Sequence, residues 1–295
     1  MNAASTTNDA QREYWNNVAG PRWVGLAGYV EKRVERVNDL LLARSAVRPG
    51  EKVLEVGCGT GAATVPLAEA VGETGEVVGI DISEPMLTAA RQRISQRDRR
   101  NISLLHGDAQ VYSFPPDRYD LIASRFGVMF FADPVMAFRN LLGATRPGGR
   151  LCFACWAPLE ENRHWLIPYG VALRHLGAPA PKPPRAPGPL AFSEPDYVLS
   201  VLEGAGYEGI EIRRETPDII AARPSEEAEH ACLMGPSGRL IEEKKPQESV
   251  RELIKQEMIE AFAAHAKGGE MVLPSTIFLV TARRADARRT SEVPR

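Results

Sequence analysis

Three glycines lie within five residues, in a turn between a predicted strand and a predicted helix. Gly57, Gly59 and Gly61 follow the largely apolar run 53-VLEV-56. From Ala62 onward, apolar residues recur with the spacing of a helix. Glycine lets a backbone adopt unusual dihedral angles and approach a ligand closely. The spacing satisfies the pattern G-x-G-x-x-[G/A] and predicts a nucleotide-containing cofactor, with an NAD-type dinucleotide among the candidates.

Polar residues also stand in or after four successive predicted strands. Glu55 lies within the first strand, where its carboxylate can reach an amino group such as an amino-acid moiety carries. Asp81 ends the second strand and can accept hydrogen bonds from both hydroxyls of a ribose. Asp108 follows the third strand, where it can accept from the exocyclic amine of adenine, and Ser124 ends the fourth. The carboxyl ends of parallel strands share one crevice, so these residues predict a single binding site.

The elements that position these residues alternate along the chain. Strands are predicted at 52–57, 76–81, 102–107, 119–124 and 150–156, and later at 207–215 and 276–284. Helices are predicted over 9–45, after the glycine turn, from Ser83 onward, over 133–145 and 194–206, and within 225–265. Strands that alternate with helices indicate right-handed crossovers and a parallel sheet.

The chain resembles the class I S-adenosylmethionine-dependent methyltransferases, in particular the group of the ubiquinone and menaquinone biosynthesis methyltransferases. The matching segments are 53-VLEVGCGTG-61, 77-VVGIDIS-83, 107-GDA-109, 119-YDLIASRFGVMFFADP-134 and 146-RPGGRL-151. The resemblance implies an α/β fold with a doubly wound, mostly parallel seven-stranded sheet of the Rossmann-like methyltransferase kind. It also implies an antiparallel last strand, N-terminal helices and a helical insertion before that strand.

S-adenosyl-L-methionine is the cofactor that the resemblance implies, with S-adenosyl-L-homocysteine as the product. By the same resemblance, Glu55 and the 57–61 loop hold the methionine part, Asp81 holds the ribose, and Asp108 with Ala109 holds the adenine. The full set expected at the cofactor is Tyr14, Trp23, Glu55, Gly57, Cys58, Gly59, Thr60, Gly61, Asp81, Ile82, Met86, Gly107, Asp108, Ala109, Ser124, Arg125 and Phe126.

The aromatic-rich leader 14-YWNNVAGPRW-23 has two interpretations. In similar proteins a leading helix closes over the cofactor, and Tyr14, Trp15 and Trp23 can face a sulfonium because cations sit well against aromatic rings. Alternatively the leader packs onto the sheet as a hydrophobic staple. The sequence also predicts how the chain is divided. A helical lid is expected at 1–45, a cofactor-binding core at 46–156 and a proline-rich substrate-side loop at 157–193. The end of the sheet follows at 194–285, with inserted helices at 225–265, and a disordered tail is expected at 286–295.

The acceptor side carries no sequence signature of its own. We expect the loops after the fourth and fifth strands to contact the methyl acceptor, and segments 157–195 and 225–265 to cap its pocket together. His164 is the candidate general base, with a solvated loop histidine as the alternative. Arg125 pairs either with a substrate carboxylate or phosphate or with a structural acid. The residues expected at the acceptor are Phe126, Met129, Phe130, Trp156, Asn162, Trp165 and Met234.

Composition and motifs narrow the choice of acceptor. The net charge of −2 gives no basic excess for nucleic acid. The acidic Asn-Pro-Pro-Tyr-like motif of nucleic-acid base and amino-group methyltransferases does not follow the fourth strand. We therefore predict methyl transfer to a small, partly apolar molecule at an O, C or N atom, with no nucleic-acid partner. The alternatives are an S-adenosylmethionine-binding protein that does not methylate and, less favoured, an NAD-dependent oxidoreductase.

The four cysteines give no disulfide framework in a chain of this length. Cys152 and Cys155 have CxxC spacing, but no second pair completes a metal site, so no metal is expected. The chain shows neither a signal-peptide core nor an apolar run of about 18 residues. These observations predict a cytoplasmic enzyme without stable membrane insertion, either a monomer or a homodimer.

Overall fold

The computed structural model of the protein describes residues 8–97, 100–221, 223–266 and 271–286. Apart from Asp286, the tail expected to be disordered therefore lies outside the described residues. The N-terminal part is helical, as the sequence predicts. Its elements are α1 (Asp9–Tyr14), a π-helical turn (Trp15–Ala19), α2 (Gly20–Gly25), α3 (Ala27–Arg33) and α4 (Glu35–Ser45).

A seven-stranded sheet follows and confirms the predicted fold class. Its strands are β1 (Lys52–Val56), β2 (Glu76–Asp81), β3 (Ile102–His106), β4 (Tyr119–Arg125), β5 (Thr145–Trp156), β6 (Glu208–Glu215) and β9 (Ile277–Arg283). The spatial order is β3-β2-β1-β4-β5-β9-β6, and β9 is antiparallel to both of its neighbours. The chain therefore winds outward in both directions from the pair β1 and β4, which places a crevice at the carboxyl ends of these two strands.

The crossover helices are α5 (Thr64–Val71), α6 (Glu84–Ser95), α7 (Pro134–Ala144) and α9 (Pro195–Ala205). They cover the sheet, and β1 is buried at every residue after Lys52, as expected of a central parallel strand. Phe138 of α7 is fully buried, with its ring centroid 5.6 Å from that of Phe153 in β5 and 6.1 Å from that of Phe192. This packing fixes the strand ends that carry the site.

A second apolar cluster lies beside this core. It is formed by α8 (Arg163–Leu176), α10 (Pro224–Ala231), α11 (Gly235–Lys244), α12 (Glu248–Ala263) and a small antiparallel sheet of β7 (Asp218–Ala221) with β8 (Met271–Pro274). Its centre contains Leu240, Ile254, Met258 and Phe262, all nearly or fully buried. Apart from α8, these elements are inserted between β6 and β9, which pair directly with each other. None of the helices described by the structure is long and apolar enough to span a membrane.

Three features of the backbone differ from the expectation. The proline-rich segment expected to be a loop contains the 14-residue helix α8, whose buried residues recur with helical spacing at His164, Pro168, Val171 and Ala172. The strands β7 and β8 have only four residues each, DIIA and MVLP, and their residue types do not alternate between apolar and polar, although the burial of β8 does alternate. This explains why the sequence pattern missed them. Strand β5 begins at Thr145, before the turn glycines rather than after them.

Candidate active site

A cavity of about 240 Å³ lies at the carboxyl ends of the central strands. Its floor is formed by the segments that follow β1, β2 and β3, and one wall by the segments that follow β4 and β5. The leader up to α2 forms another wall, and residues of α3, α8, α10 and α11 form a roof. Both segments expected to cap an acceptor pocket, 157–195 and 225–265, thus contribute to this single cavity.

The glycine turn packs tightly against the loop after β4. Gly57 and Gly59 have φ values of +68° and +55°, which residues with a side chain rarely adopt. A Cβ atom on Gly57 would lie 2.7 Å from the Cα of Gly127, and one on Gly59 would lie 2.8 Å from Cε of Met86. The turn therefore requires glycine for its conformation and for its close neighbours, and its backbone lines the cavity directly.

Asp81 binds the same turn from the end of β2. Its Oδ2 accepts a hydrogen bond from the Gly59 amide at 2.8 Å, and its Oδ1 accepts one from the Ser83 amide at 2.9 Å. Burial raises the pKa of this carboxyl, and the backbone amides oppose that shift. Asp81 also lines the cavity, so a carboxylate with remaining lone pairs lies beside the glycine turn.

Asp108 lies across the floor, and it is joined to a residue that the sequence analysis did not identify. Its Oδ1 accepts from Nδ2 of Asn8 and from the amide of Gln110, both at 3.0 Å. The side-chain oxygen of Asn8 accepts in turn from the amide of Ala132 at 2.7 Å. Asn8 thereby links the leader, the β3 end and the β4 loop, and it lines the cavity together with Asp108.

Glu55 and Ser124 support the floor from beneath. Thr64 donates to Oε2 of Glu55 at 2.5 Å, and burial raises the pKa of Glu55 to about 7. The hydroxyl of Ser124 donates to the carbonyl of Val56 at 2.7 Å and accepts from the amide of Gly127 at 3.2 Å. Glu55 thus joins β1 to the start of α5, and Ser124 joins the end of β1 to the loop after β4; neither side chain forms part of the cavity surface.

The part of the cavity where we expect the methyl acceptor is aromatic. Phe126 stacks on Trp156 with ring centroids 4.3 Å apart and planes 3° from parallel, and the centroid of Trp165 is 4.8 Å from that of Trp156. On the lid side, Trp15 meets Phe130 edge to face at 5.1 Å. Flat aromatic walls of this kind favour a ligand with planar or apolar parts.

His164 is part of this aromatic wall instead of being a solvated loop residue. It lies on α8 with 3% of its surface exposed, and its ring centroid is 5.2 Å from that of Trp156. Its Nδ1 forms a hydrogen bond of 2.5 Å with Oγ of Ser275. Burial, with a smaller contribution from the charge of Arg33, holds the pKa of His164 well below its ordinary value. The imidazole is therefore neutral near pH 7.

The roof contains four polar residues that the sequence analysis did not identify. We call Tyr29, Arg33, Glu227 and His230 the roof cluster. Glu227 of α10 accepts from the hydroxyl of Tyr29 at 2.6 Å and forms an ion pair with Nη1 of Arg33. The His230 ring stacks on Tyr29, with centroids 3.6 Å apart. All four residues line the cavity, and two come from α3 and two from α10.

The leader forms a wall of the cavity and is bonded to the cofactor side. The hydroxyl of Ser83 donates to the carbonyl of Trp15 at 2.9 Å, and Nδ2 of Asn16 donates to the carbonyl of Ile82 at 2.9 Å. Trp15 and Trp23 both face the cavity. The leader thus packs against the segment after β2 and borders the cavity at the same time. Its closure over a cofactor stays a prediction.

The structure brings most of the expected residues to one cavity. Those on its surface are Trp23, Gly57, Cys58, Gly59, Thr60, Asp81, Ile82, Met86, Gly107, Asp108, Ala109, Arg125, Phe126, Met129, Phe130, Trp156, His164, Trp165 and Met234. Tyr14, Glu55, Gly61, Ser124 and Asn162 lie behind it. Tyr14 packs under the guanidinium of Arg239, and Asn162 donates to the carbonyls of Ala157 and Pro158.

Arg125 bonds to protein rather than standing free for a substrate. Its Nη1 donates to Oδ1 of Asn38 in α4 at 2.8 Å. Its charge lowers the pKa of Glu55, although burial has the larger and opposite effect on that carboxyl. Of the two interpretations of Arg125, these contacts favour the structural one.

Comparison with known proteins gives the family. A family model described as a methyltransferase domain matches residues 53–149. Nocamycin O-methyltransferase of Saccharothrix syringae is 30% identical over 254 residues, which cover 82% of this chain and 89% of that protein. Demethylmenaquinone methyltransferase of Geobacillus sp. (strain WCH70) is 36% identical over 110 residues, which cover 37% of this chain and 47% of its own length.

A solved structure shows the same fold. The YcgJ protein of Bacillus subtilis superimposes with a TM-score of 0.56 at 16% identity, over 86% of this chain and 100% of that one. The chain belongs to the family of S-adenosylmethionine-dependent methyltransferases that act on small molecules. It is an enzyme whose cofactor is S-adenosyl-L-methionine, which confirms the resemblance stated from the sequence and does not favour the NAD-dependent alternative.

Proposed function

We propose that this enzyme transfers a methyl group to an oxygen atom of a small, ring-bearing acceptor, with His164 as the general base. The observation that carries the proposal is the position of His164 in an aromatic wall, with Nδ1 engaged by Ser275 at 2.5 Å. The choice of oxygen is supported by the nocamycin O-methyltransferase relative, whose sequence aligns over most of both chains.

The residues of the floor fit the cofactor. Gly57 and Gly59 present backbone instead of side chains, and Asp81 and Asp108 present carboxylates that suit ribose hydroxyls and an adenine amine. When bound, S-adenosylmethionine supplies an electrophilic methyl group on a positively charged sulfur. The aromatic side chains of Trp15 and Trp23 border the same space, where rings favour a positive charge.

The base acts through Nε2 of His164, for which the described part of the chain provides no hydrogen-bond partner. Its low pKa keeps the imidazole neutral, so it can take a proton near pH 7. For Nε2 to accept that proton, Nδ1 must carry hydrogen and donate to Oγ of Ser275. Ser275 is thus a positioning residue that fixes the orientation of the ring, since its hydroxyl can accept from Nδ1–H in the tautomer whose Nε2 is free to take the proton. A base with a lowered pKa suits an acidic acceptor oxygen, such as that of a phenol or an enol, better than an alcohol.

The remaining contribution of the chain is alignment and exclusion of water. The parallel rings of Phe126 and Trp156 border the cavity beside His164, where they can orient a planar acceptor. Holding two reactants in line accounts for a large part of the acceleration in such displacements. We further propose that residues 8–33 act as the lid of the cavity.

We also propose that the enzyme works in the cytoplasm, as a monomer or homodimer and without a nucleic-acid partner. Two observations support this. All four cysteines are free and buried, which suits a reducing compartment, and the net charge is −2. Sedimentation analysis of the purified chain, alone and with RNA, checks the assembly; a complex with RNA would contradict it.

The function is tested by supplying S-adenosylmethionine and a panel of phenols, enols and alcohols, and by detecting methylated products by mass spectrometry. We expect O-methylated phenols or enols. The variant His164→Gln should reduce kcat about 100-fold or more at unchanged affinity for S-adenosylhomocysteine. Ser275→Ala should reduce kcat by a smaller factor. Full turnover by His164→Gln would leave alignment as the only catalytic device and refute the base.

A further inference from the structure

The roof cluster contributes to the proposed base only through the charge of Arg33, which adds a small part to the lowered pKa of His164. Its hydrogen bonds join its own members, and none is directed to His164 or to the residues of the floor. Glu227 is 1% exposed, and an isolated carboxylate at such a position would be costly to keep charged. Arg33 supplies the opposite charge, and the hydroxyl of Tyr29 donates to the second carboxylate oxygen at 2.6 Å. The pair therefore fixes a guanidinium at the surface of an otherwise apolar roof.

Arg33 has donor groups that the protein leaves without partners. Only Nη1 forms hydrogen bonds, to Tyr29 and Glu227; within the described residues, Nε and Nη2 have no acceptor. The side chain is 12% exposed and lines the cavity, so these N–H groups are accessible from that space. Arginine carries five donors and no acceptor, so a group that satisfies it must accept hydrogen bonds.

A second atom of the cluster is also without a partner. Nδ1 of His230 is buried, and no hydrogen-bond partner for it is found among residues 8–97, 100–221, 223–266 and 271–286. The imidazole is held in place by its stacking on Tyr29 at 3.6 Å. Because this atom has almost no accessible surface, the ring serves the cluster by packing against Tyr29, and the donor groups that face the cavity are those of Arg33.

We propose that the roof cluster is a subsite for a carboxylate or carbonyl group of the methyl acceptor, whose oxygen atoms would receive hydrogen bonds from Arg33. Arg33 is the specificity-determining residue of this subsite. The inference rests on the proposed function, because the subsite faces the same cavity as His164. The planar guanidinium fork matches the two oxygens of a carboxylate or of neighbouring carbonyl groups. Glu227 and Tyr29 are positioning residues that hold the fork.

The subsite can be tested by binding, without knowledge of the natural acceptor. Fluorine NMR titrations of the full chain saturated with S-adenosylhomocysteine would use three probes of one shape: para-fluorobenzoate, para-fluoroacetophenone and para-fluorotoluene. The wild type should bind the benzoate at least ~10-fold more tightly than the toluene, because it gains charge-assisted hydrogen bonds. The acetophenone should fall between them if a carbonyl is also accepted, and should match the toluene if the subsite is specific for carboxylate.

The variant Arg33→Gln/Glu227→Gln removes both charges together and so leaves no buried carboxylate unpaired. It should bind the benzoate and the toluene equally, whereas the control Arg36→Gln, an exposed residue of α4, should keep the wild-type ratio. Arg33→Lys keeps the charge and loses the fork, and should reduce the ratio without abolishing it. If the double variant fails to fold, the ratio measured for Arg33→Lys still tests whether Arg33 binds the carboxylate.

The subsite and the proposed function fail in different ways. Equal affinities for the benzoate and the toluene in the wild type, or an unchanged ratio in the double variant, would overturn the subsite alone. If the wild type and His164→Gln methylate the phenol and enol panel equally well, the proposed base is wrong, even where the probes bind as expected.

Discussion

Asp81 is the residue whose replacement tests the cofactor site most directly. Its two oxygens accept from the amides of Gly59 at 2.8 Å and Ser83 at 2.9 Å, and the carboxylate also faces the cavity. The substitution Asp81→Asn keeps the size and shape of the side chain, removes its charge and leaves one acceptor oxygen for the two amides. Asp81→Ala removes both acceptors, that of the glycine turn and that of the start of α6.

The expected loss follows from the hydrogen bonds that the carboxylate can offer a ribose. A hydrogen bond to a charged group contributes about 1.5–3 kcal/mol, so one such bond lost weakens binding about 10- to 150-fold. Asp81→Asn should fall in this range. Asp81→Ala should weaken binding further and lower the melting temperature, because the turn amides of Gly59 and Ser83 then lose their partners.

The measurement is calorimetric titration with S-adenosylhomocysteine, with circular dichroism to establish the fold. Glu84→Gln is the matched control. Glu84 lies three residues after Asp81, and its carboxylate is exposed and paired with Arg91, so the substitution also removes one negative charge but outside the cavity. It should bind like the wild type. Affinity of Asp81→Asn within about threefold of the wild type, or an equal loss in Glu84→Gln, would refute a direct contact of Asp81 with the cofactor.

Three further predictions concern packing and pH. Gly127→Ala would place a Cβ atom 2.6 Å from the carbonyl oxygen of Val56 and so push the loop after β4 away from the glycine turn. Calorimetry should then show cofactor affinity reduced about tenfold, and unchanged affinity would mean that these two loops can move apart without cost. Phe138→Ala should cost about 3–5 kcal/mol in urea unfolding, and a loss under about 1 kcal/mol would contradict the role of this ring in the core. The folded-state pKa of His164 is lowered, so its contribution to stability is present above about pH 6.5 and is lost as the pH falls. The melting temperature of the wild type should therefore fall more steeply below that pH than the melting temperature of His164→Gln, and parallel curves would disprove the linkage.

The cofactor side could be predicted because its signals are local. Each polar residue of the floor directly ends or follows a strand, as Asp81 and Asp108 do, and the strand order of the fold brings those ends together. The sheet could be predicted for the same reason, since apolar strands and amphipathic helices alternate along the sequence with turn residues between them. The alternating pattern continued to β5, and the family resemblance supplied the antiparallel last strand.

The acceptor side could not be predicted because its contacts join distant parts of the chain. Arg33 and Glu227 are 194 residues apart, and His164 and Ser275 are 111 apart. Nothing near Arg33 in the sequence distinguishes it from the other basic residues of the leader. The helix α8 was missed because Pro168 lies in its interior and a proline-rich run follows it, both of which ordinarily indicate a loop.

The four tryptophans of the chain, Trp15, Trp23, Trp156 and Trp165, all line the cavity. No indole lies elsewhere, so fluorescence excited selectively at the tryptophans, and not at the seven tyrosines, reports on this cavity alone. Two of the emitters lie on the lid side and two on the acceptor side. A collection of candidate acceptors can therefore be screened optically on the unlabelled enzyme, and quenching would rank them before any turnover assay has been devised.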